Sequence, residues 1–119
     1  MMVNSVMKAM VVGLCLALLL PGQGGRAEPV DVKLLMAIDA SASVTQRVLD
    51  AQIDGHAAAF RDPLVQAALR SGPRGQIAVA LMLWSNPTDT PLVVHWRVLR
   101  TPEDAWRMAR DIDALPRKE

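Results

Sequence analysis

Met36-Ala37-Ile38-Asp39-Ala40-Ser41-Ala42-Ser43 is the stretch on which the fold turns. An apolar run stops at an aspartate, and two serines follow at alternate positions. Strand side chains facing the same way recur every second residue, so Asp39, Ser41 and Ser43 can converge as the chain leaves a strand. One carboxylate and two hydroxyls, with no histidine or thiol beside them, form a hard-oxygen set suited to Mg²⁺, with Mn²⁺ or Ca²⁺ as alternatives. Three oxygens do not complete an octahedron, so a metal site here needs further ligands. The bland alternative is that Asp39 ends the strand, Ser41 sits in a turn and Ser43 caps a helix, roles that favour these residues without any ligand.

Working outward, Val30 to Ile38 alternates at first and then becomes continuously apolar, the pattern of a central parallel strand. Downstream, Ser43-Val44-Thr45-Gln46 fits a capping box, with Ser43 as the cap. Val48 or Leu49, Ile53, Ala57 and Phe60 follow at helical spacing and would cover a sheet. Asp62-Pro63 ends or kinks that helix. Leu64 to Arg70 adds a short helical piece, closed by Ser71-Gly72-Pro73-Arg74-Gly75.

Gln76 to Trp84 reads as a second buried strand. Leu92 to Leu99 alternates, with Leu92, Val94, Trp96 and Val98 on one face and Val93, His95, Arg97 and Leu99 on the other. That suits an edge strand antiparallel to its predecessor. Thr101-Pro102-Glu103-Asp104 starts the last helix, with Thr101 as cap, proline at the first helical position and acids in the first turn. Ala105, Met108, Ala109, Ile112 and Leu115 form its apolar stripe. The order strand, helix, strand, strand, helix predicts one half of an open α/β sheet.

Residues 1–27 read as a secretory signal peptide. Lys8 precedes an apolar core from Val11 to Leu20, Pro21-Gly22 breaks it, and Gly25-Arg26-Ala27 offers small residues before a cleavage point. A membrane anchor is the alternative, but the core is well short of the roughly 20 apolar residues a span needs. Cys15 lies inside that core, so residues 28–119 contain no cysteine and no disulfide. This predicts an exported protein, periplasmic or secreted, without stable membrane insertion after cleavage. Its 92 residues carry 11 basic and 12 acidic side chains. Nothing in that balance suggests a nucleic-acid partner.

The other chemistry-bearing residues point to ordinary roles. His56 and His95 fall on a helix and an edge strand and lack the further ligands a zinc site requires. Trp84 and Trp96 occupy apolar strand positions and are expected in the core, with Trp106 packed at the edge of its helix stripe. Glu103–Arg107 and Arg107–Asp111 at four-residue spacing mark a solvated helix face. There is no nucleophile elbow and no phosphate-cradling glycine loop. Ser41 also stands where the general acid of a phosphatase-type Asp-x-Asp motif would be, so a non-enzymatic role is expected, with Mg²⁺-dependent phosphoryl transfer a minor alternative.

The Asp39-Ala40-Ser41-Ala42-Ser43 segment resembles the metal-ion-dependent adhesion site of von Willebrand factor A domains, whose first motif is Asp-x-Ser-x-Ser after the first strand. With Ala57-Ala58-Ala59-Phe60-Arg61-Asp62-Pro63, Gly75-Gln76-Ile77-Ala78-Val79, Trp84-Ser85 and Val93-Val94-His95-Trp96, it is similar to a bacterial exported family of uncharacterised function with that fold. The resemblance spans Val30 to Leu115. It implies a doubly wound, Rossmann-like sheet of order 3-2-1-4-5-6, of which this sequence holds strands 3-2-1 with flanking helices. By resemblance Asp39 would hold the metal through water, Ser41 and Ser43 through their hydroxyls.

The resemblance also implies a threonine from a later loop and an aspartate after the fourth strand, and neither motif is present. Thr88, Thr101 and Asp89 lie in the wrong elements to substitute. The expected function is non-catalytic binding of a protein partner through a carboxylate on the metal, at a site incomplete in this sequence. A truncated or frameshifted product without independent activity is the alternative expectation. The absent strands would leave the Asp39 strand with an unpaired apolar edge, a pairing hazard.

Overall fold

The computed structural model describes residues 27–88 and 90–117. The expected signal peptide and Asp89 therefore lie outside the described residues, Ala27 excepted. Six elements follow one another: β1 (Lys33–Asp39), α1 (Gln46–Arg61), α2 (Pro63–Leu69), β2 (Ile77–Trp84), β3 (Leu92–Leu99) and α3 (Pro102–Asp113). The fold is the expected α/β arrangement, a three-stranded open sheet of order β1-β2-β3 flanked by helices. β1 and β2 run parallel, in register from Lys33↔Ala78 to Asp39↔Trp84. β3 returns antiparallel to β2.

The core lies on one face of the sheet. Ile38 from β1, Ile77, Val79 and Leu81 from β2, and Val94 and Leu99 from β3 pack against Leu49, Ile53, Ala57 and Phe60 of α1. Ala105, Met108, Ala109, Ile112 and Leu115 complete the cluster, matching the stripe read from helical spacing. Within α1 the stripe runs through Leu49, while Val48 is exposed. Asp62 serves both helices: its backbone N–H donates to the Ala59 carbonyl, and its carboxylate accepts from the N–H groups of Leu64 (2.7 Å) and Val65 (3.3 Å). This satisfies terminal groups that a helix cannot pair internally, with Pro63 tolerated at the first position of α2.

Three expectations are corrected. Strict alternation along β3 fails, because Val94 and Leu99 are five residues apart yet both buried in the core. Register shifts between Val79 and Leu81, and again between Leu81 and Met82, place extra β3 residues opposite β2 and change which side chains turn inward. Trp84 and Trp96, expected in the core, are 39% and 47% exposed. Trp84 pairs with Asp39 at the sheet end, on the side away from the helices, so its strand position supplies no cover. Arg107 pairs with Glu103 at 2.7 Å, but Asp111 is bonded by Arg97 of β3 at 2.5 Å, a partner that helix spacing could not reveal.

Among the described residues β1 pairs with β2 alone. Its composition suits burial on both faces, but the helices cover one face of the sheet, and Leu34 and Leu35 are 38% and 46% exposed. Opposite the site end, Asp31 fixes the entry to both parallel strands by accepting from the backbone N–H groups of Arg74 (2.9 Å) and Gln76 (3.3 Å). Gly75 in this turn has φ +66, a conformation that costs a residue with a Cβ about 1–2 kcal/mol.

Candidate metal site at the end of β1

Asp39 is the last residue of β1, and Ala40 extends the parallel ladder by donating to the Trp84 carbonyl at 2.8 Å. The chain then turns. The Ser41 N–H donates to Asp39 Oδ1 at 2.9 Å, and Val44 N–H donates to the Ser41 carbonyl at 3.0 Å. These bonds reverse the backbone within four residues and bring the Ser41 and Ser43 hydroxyls to 3.3 Å from each other. The three residues expected to form the site therefore stand together at the carboxyl end of the strand, where ligands bind in open α/β sheets.

The helix cap is not the one expected. Thr45 caps α1, its Oγ1 accepting from the Val48 N–H at 3.3 Å, and Gln46 donates to Asp50 Oδ1 at 2.7 Å instead of returning to Ser43. The turn from Ser41 to Val44 uses two residues before the backbone can enter the helix, which moves the cap from Ser43 to Thr45. Ser43 is thus released from the capping role, and its hydroxyl faces Ser41.

Hydrogen bonding from Ser41, first by its hydroxyl and then by its backbone N–H, holds the Asp39 carboxyl below its ordinary range, against a smaller opposing effect of desolvation. The carboxylate is therefore ionised at neutral pH, as a cation ligand requires. Octahedral Mg²⁺ with oxygens at about 2.0–2.1 Å places adjacent ligands roughly 3 Å apart. The 3.3 Å between the two hydroxyls is close to that separation. The donor set therefore fits one edge of a hard-cation site. Among the described residues no group of three histidine, cysteine, aspartate or glutamate side chains gathers to complete one. The amino-terminus of α1 lies just beyond, and its partial positive charge disfavours a cation.

Gln52 of α1 belongs to the same neighbourhood, and no local pattern singles it out. Its Oε1 accepts from the Asp39 N–H at 3.2 Å, and its Nε2 donates to the Asp39 carbonyl at 3.0 Å. The primary amide thereby imitates a neighbouring strand and anchors the backbone that carries the carboxylate. A glutamine one helical turn before a histidine has no sequence signature for this role; only the crossing of α1 over the end of β1 creates it. His56 meanwhile bonds the Gln52 carbonyl through Nδ1 at 2.6 Å, and His95 is exposed on β3. Thr88 and Thr101 stand in the β2–β3 turn and at the cap of α3, as their positions implied.

No helix among the described residues is long and apolar enough to cross a membrane. Neither the curated proteins nor the solved structures contain a match to this chain. The profile of a family described as "Protein of unknown function (DUF1194)" matches residues 29–119, and the chain belongs to that family.

Proposed function

We propose that this protein is an exported, non-catalytic binding module in which Asp39, Ser41 and Ser43 supply one edge of a Mg²⁺ site for a protein partner. The observation that carries the reading is the pair of hydroxyls 3.3 Å apart beside an ionised carboxylate, at the strand end where such sheets bind ligands. The resemblance to the von Willebrand factor A adhesion motif supports the same use of these residues. Asp39 supplies the charge, the hydroxyls orient the ion, and Gln52 holds the Asp39 backbone in place. With one carboxylate, the site leaves charge to be supplied from outside, and a carboxylate on the partner fits that need. Export rests on the apolar core and small-residue cleavage pattern of residues 1–27.

Titration with Mn²⁺ alone, followed by electron paramagnetic resonance, tests the reading. Weak binding that Mg²⁺ competes away, lost in Asp39→Ala and reduced in Ser41→Ala, is expected. Equal Mn²⁺ binding by the wild type and Asp39→Ala would remove these residues from any metal role.

A further inference from the structure

Asp39 and Trp84 are partners across the parallel β1–β2 ladder, and the Ala40 N–H bonded to the Trp84 carbonyl at 2.8 Å keeps them level. Neighbouring strands lie about 4.8 Å apart, and in-register partners project to the same face. An ionised carboxylate and an indole therefore stand side by side at the end of the sheet, with Trp84 39% exposed. On the far side of Asp39, Gln52 holds its N–H (3.2 Å) and its carbonyl (3.0 Å). The pair lies within the β1–β2 ladder, so nothing beyond the outer edge of β1 enters it.

A carboxylate and a ring face attract the same kind of group for different reasons. The carboxylate acts by charge and hydrogen bonding, the ring by its quadrupole. A guanidinium satisfies both at once, because it is planar, stacks on aromatic faces and carries donors in its own plane that reach a carboxylate beside the ring. Mg²⁺ needs a closed shell of oxygens; a guanidinium needs only these two side chains. The chain builds the same trio within itself, where the Arg61 guanidinium lies 5.5 Å from the Trp106 ring and bonds Asp113 at 2.5 Å. Lys33, the cation of β1, stands at the opposite end of the strand from Asp39. Trp84 lies on the face away from the helices, so a guanidinium stacked on it meets Asp39 away from the partial positive charge at the α1 amino-terminus.

We propose that Trp84 and Asp39 form a subsite for a guanidinium, supplied by an arginine side chain of a protein partner, with the indole stacked against its plane and the carboxylate at its edge. The subsite does not rest on the metal reading. A guanidinium and Mg²⁺ share Asp39 and exclude one another.

The test is titration of the full, ¹⁵N-labelled chain in chelator with N-acetyl-arginine amide, followed through the indole N–H resonances of the tryptophans. The Trp84 resonance should shift saturably in the millimolar range while those of Trp96 and Trp106 stay in place. N-acetyl-citrulline amide has the same shape without the charge and should leave Trp84 unmoved. Asp39→Asn should weaken arginine binding about tenfold, and Trp84→Leu should do the same when binding is read from the Asp39 amide resonance. Absence of a Trp84 shift with arginine, an equal shift with citrulline, or unchanged affinity in Asp39→Asn overturns the proposal. The arginine–citrulline comparison is made on the wild-type chain, so it holds whatever either substitution does to folding.

Discussion

Ser43 and Thr45 stand two residues apart with different attachments. Thr45 Oγ1 accepts from the first turn of α1, whereas the Ser43 hydroxyl meets that of Ser41. Loss of an N-cap hydroxyl typically costs about 1 kcal/mol. Thr45→Ala is therefore expected to lower unfolding stability by about 1 kcal/mol in urea titrations, and Ser43→Ala to leave it within about 0.5 kcal/mol. The reverse ranking would restore Ser43 as the cap and take it out of the site. Gln52 carries a comparable lesson, since its partner lies 13 residues away and local pattern has no access to such a bond.

At the scale of elements, α3 is specified locally to an unusual degree. Thr101 Oγ1 accepts from the Asp104 N–H at 3.1 Å, and Asp104 Oδ2 accepts from the N–H groups of Thr101 (3.1 Å) and Arg100 (2.9 Å). The Arg100 backbone bond is the largest cause holding the Asp104 carboxyl below its ordinary 3.8, partly offset by desolvation. A carboxylate whose folded pKa is depressed adds stability that is fully present above its unfolded pKa and is lost as pH falls through the folded value. Acid unfolding followed by circular dichroism should show this loss below about pH 4, and Asp104→Ala should flatten that part of the profile. β3 differs: its alternation is legible, but the register shifts that bring both Val94 and Leu99 into the core depend on how the strand meets β2.

Across the whole molecule, one helix-covered face carries the core, with β1 the outer strand of the described sheet. Met108 is fully buried where α3 meets the sheet and α1. Met108→Ala should cost about 2–5 kcal/mol in urea-induced unfolding, because a cavity adds to the lost transfer energy. Small domains have total stabilities of about 5–15 kcal/mol, so that variant should be close to unfolded at room temperature. A loss under 1 kcal/mol would mean that α3 does not close the core. Surface ion pairs also tie separate elements together, as Arg61 does with Asp113 at 2.5 Å while its guanidinium lies 5.5 Å from the Trp106 ring. Arg117, just after α3, is tied to Asp54 of α1 at 2.6 Å.

Periodicity and capping chemistry by themselves determined the element order, the strand from Leu92 to Leu99, the start of α3 and the buried stripes of both long helices. These are local quantities: side-chain spacing and the pairing of terminal N–H groups depend on residues three or four apart. The placing of Asp39, Ser41 and Ser43 together was also legible, since a strand end followed by alternate small polar residues has few other ways to turn. The cap at Thr45, the Gln52 anchor, the exposure of Trp84 and Trp96 and the Arg97–Asp111 pair were decided only by the tertiary structure. Each depends on which face of the sheet the helices cover and where α1 crosses β1, and those choices are made between segments far apart in sequence.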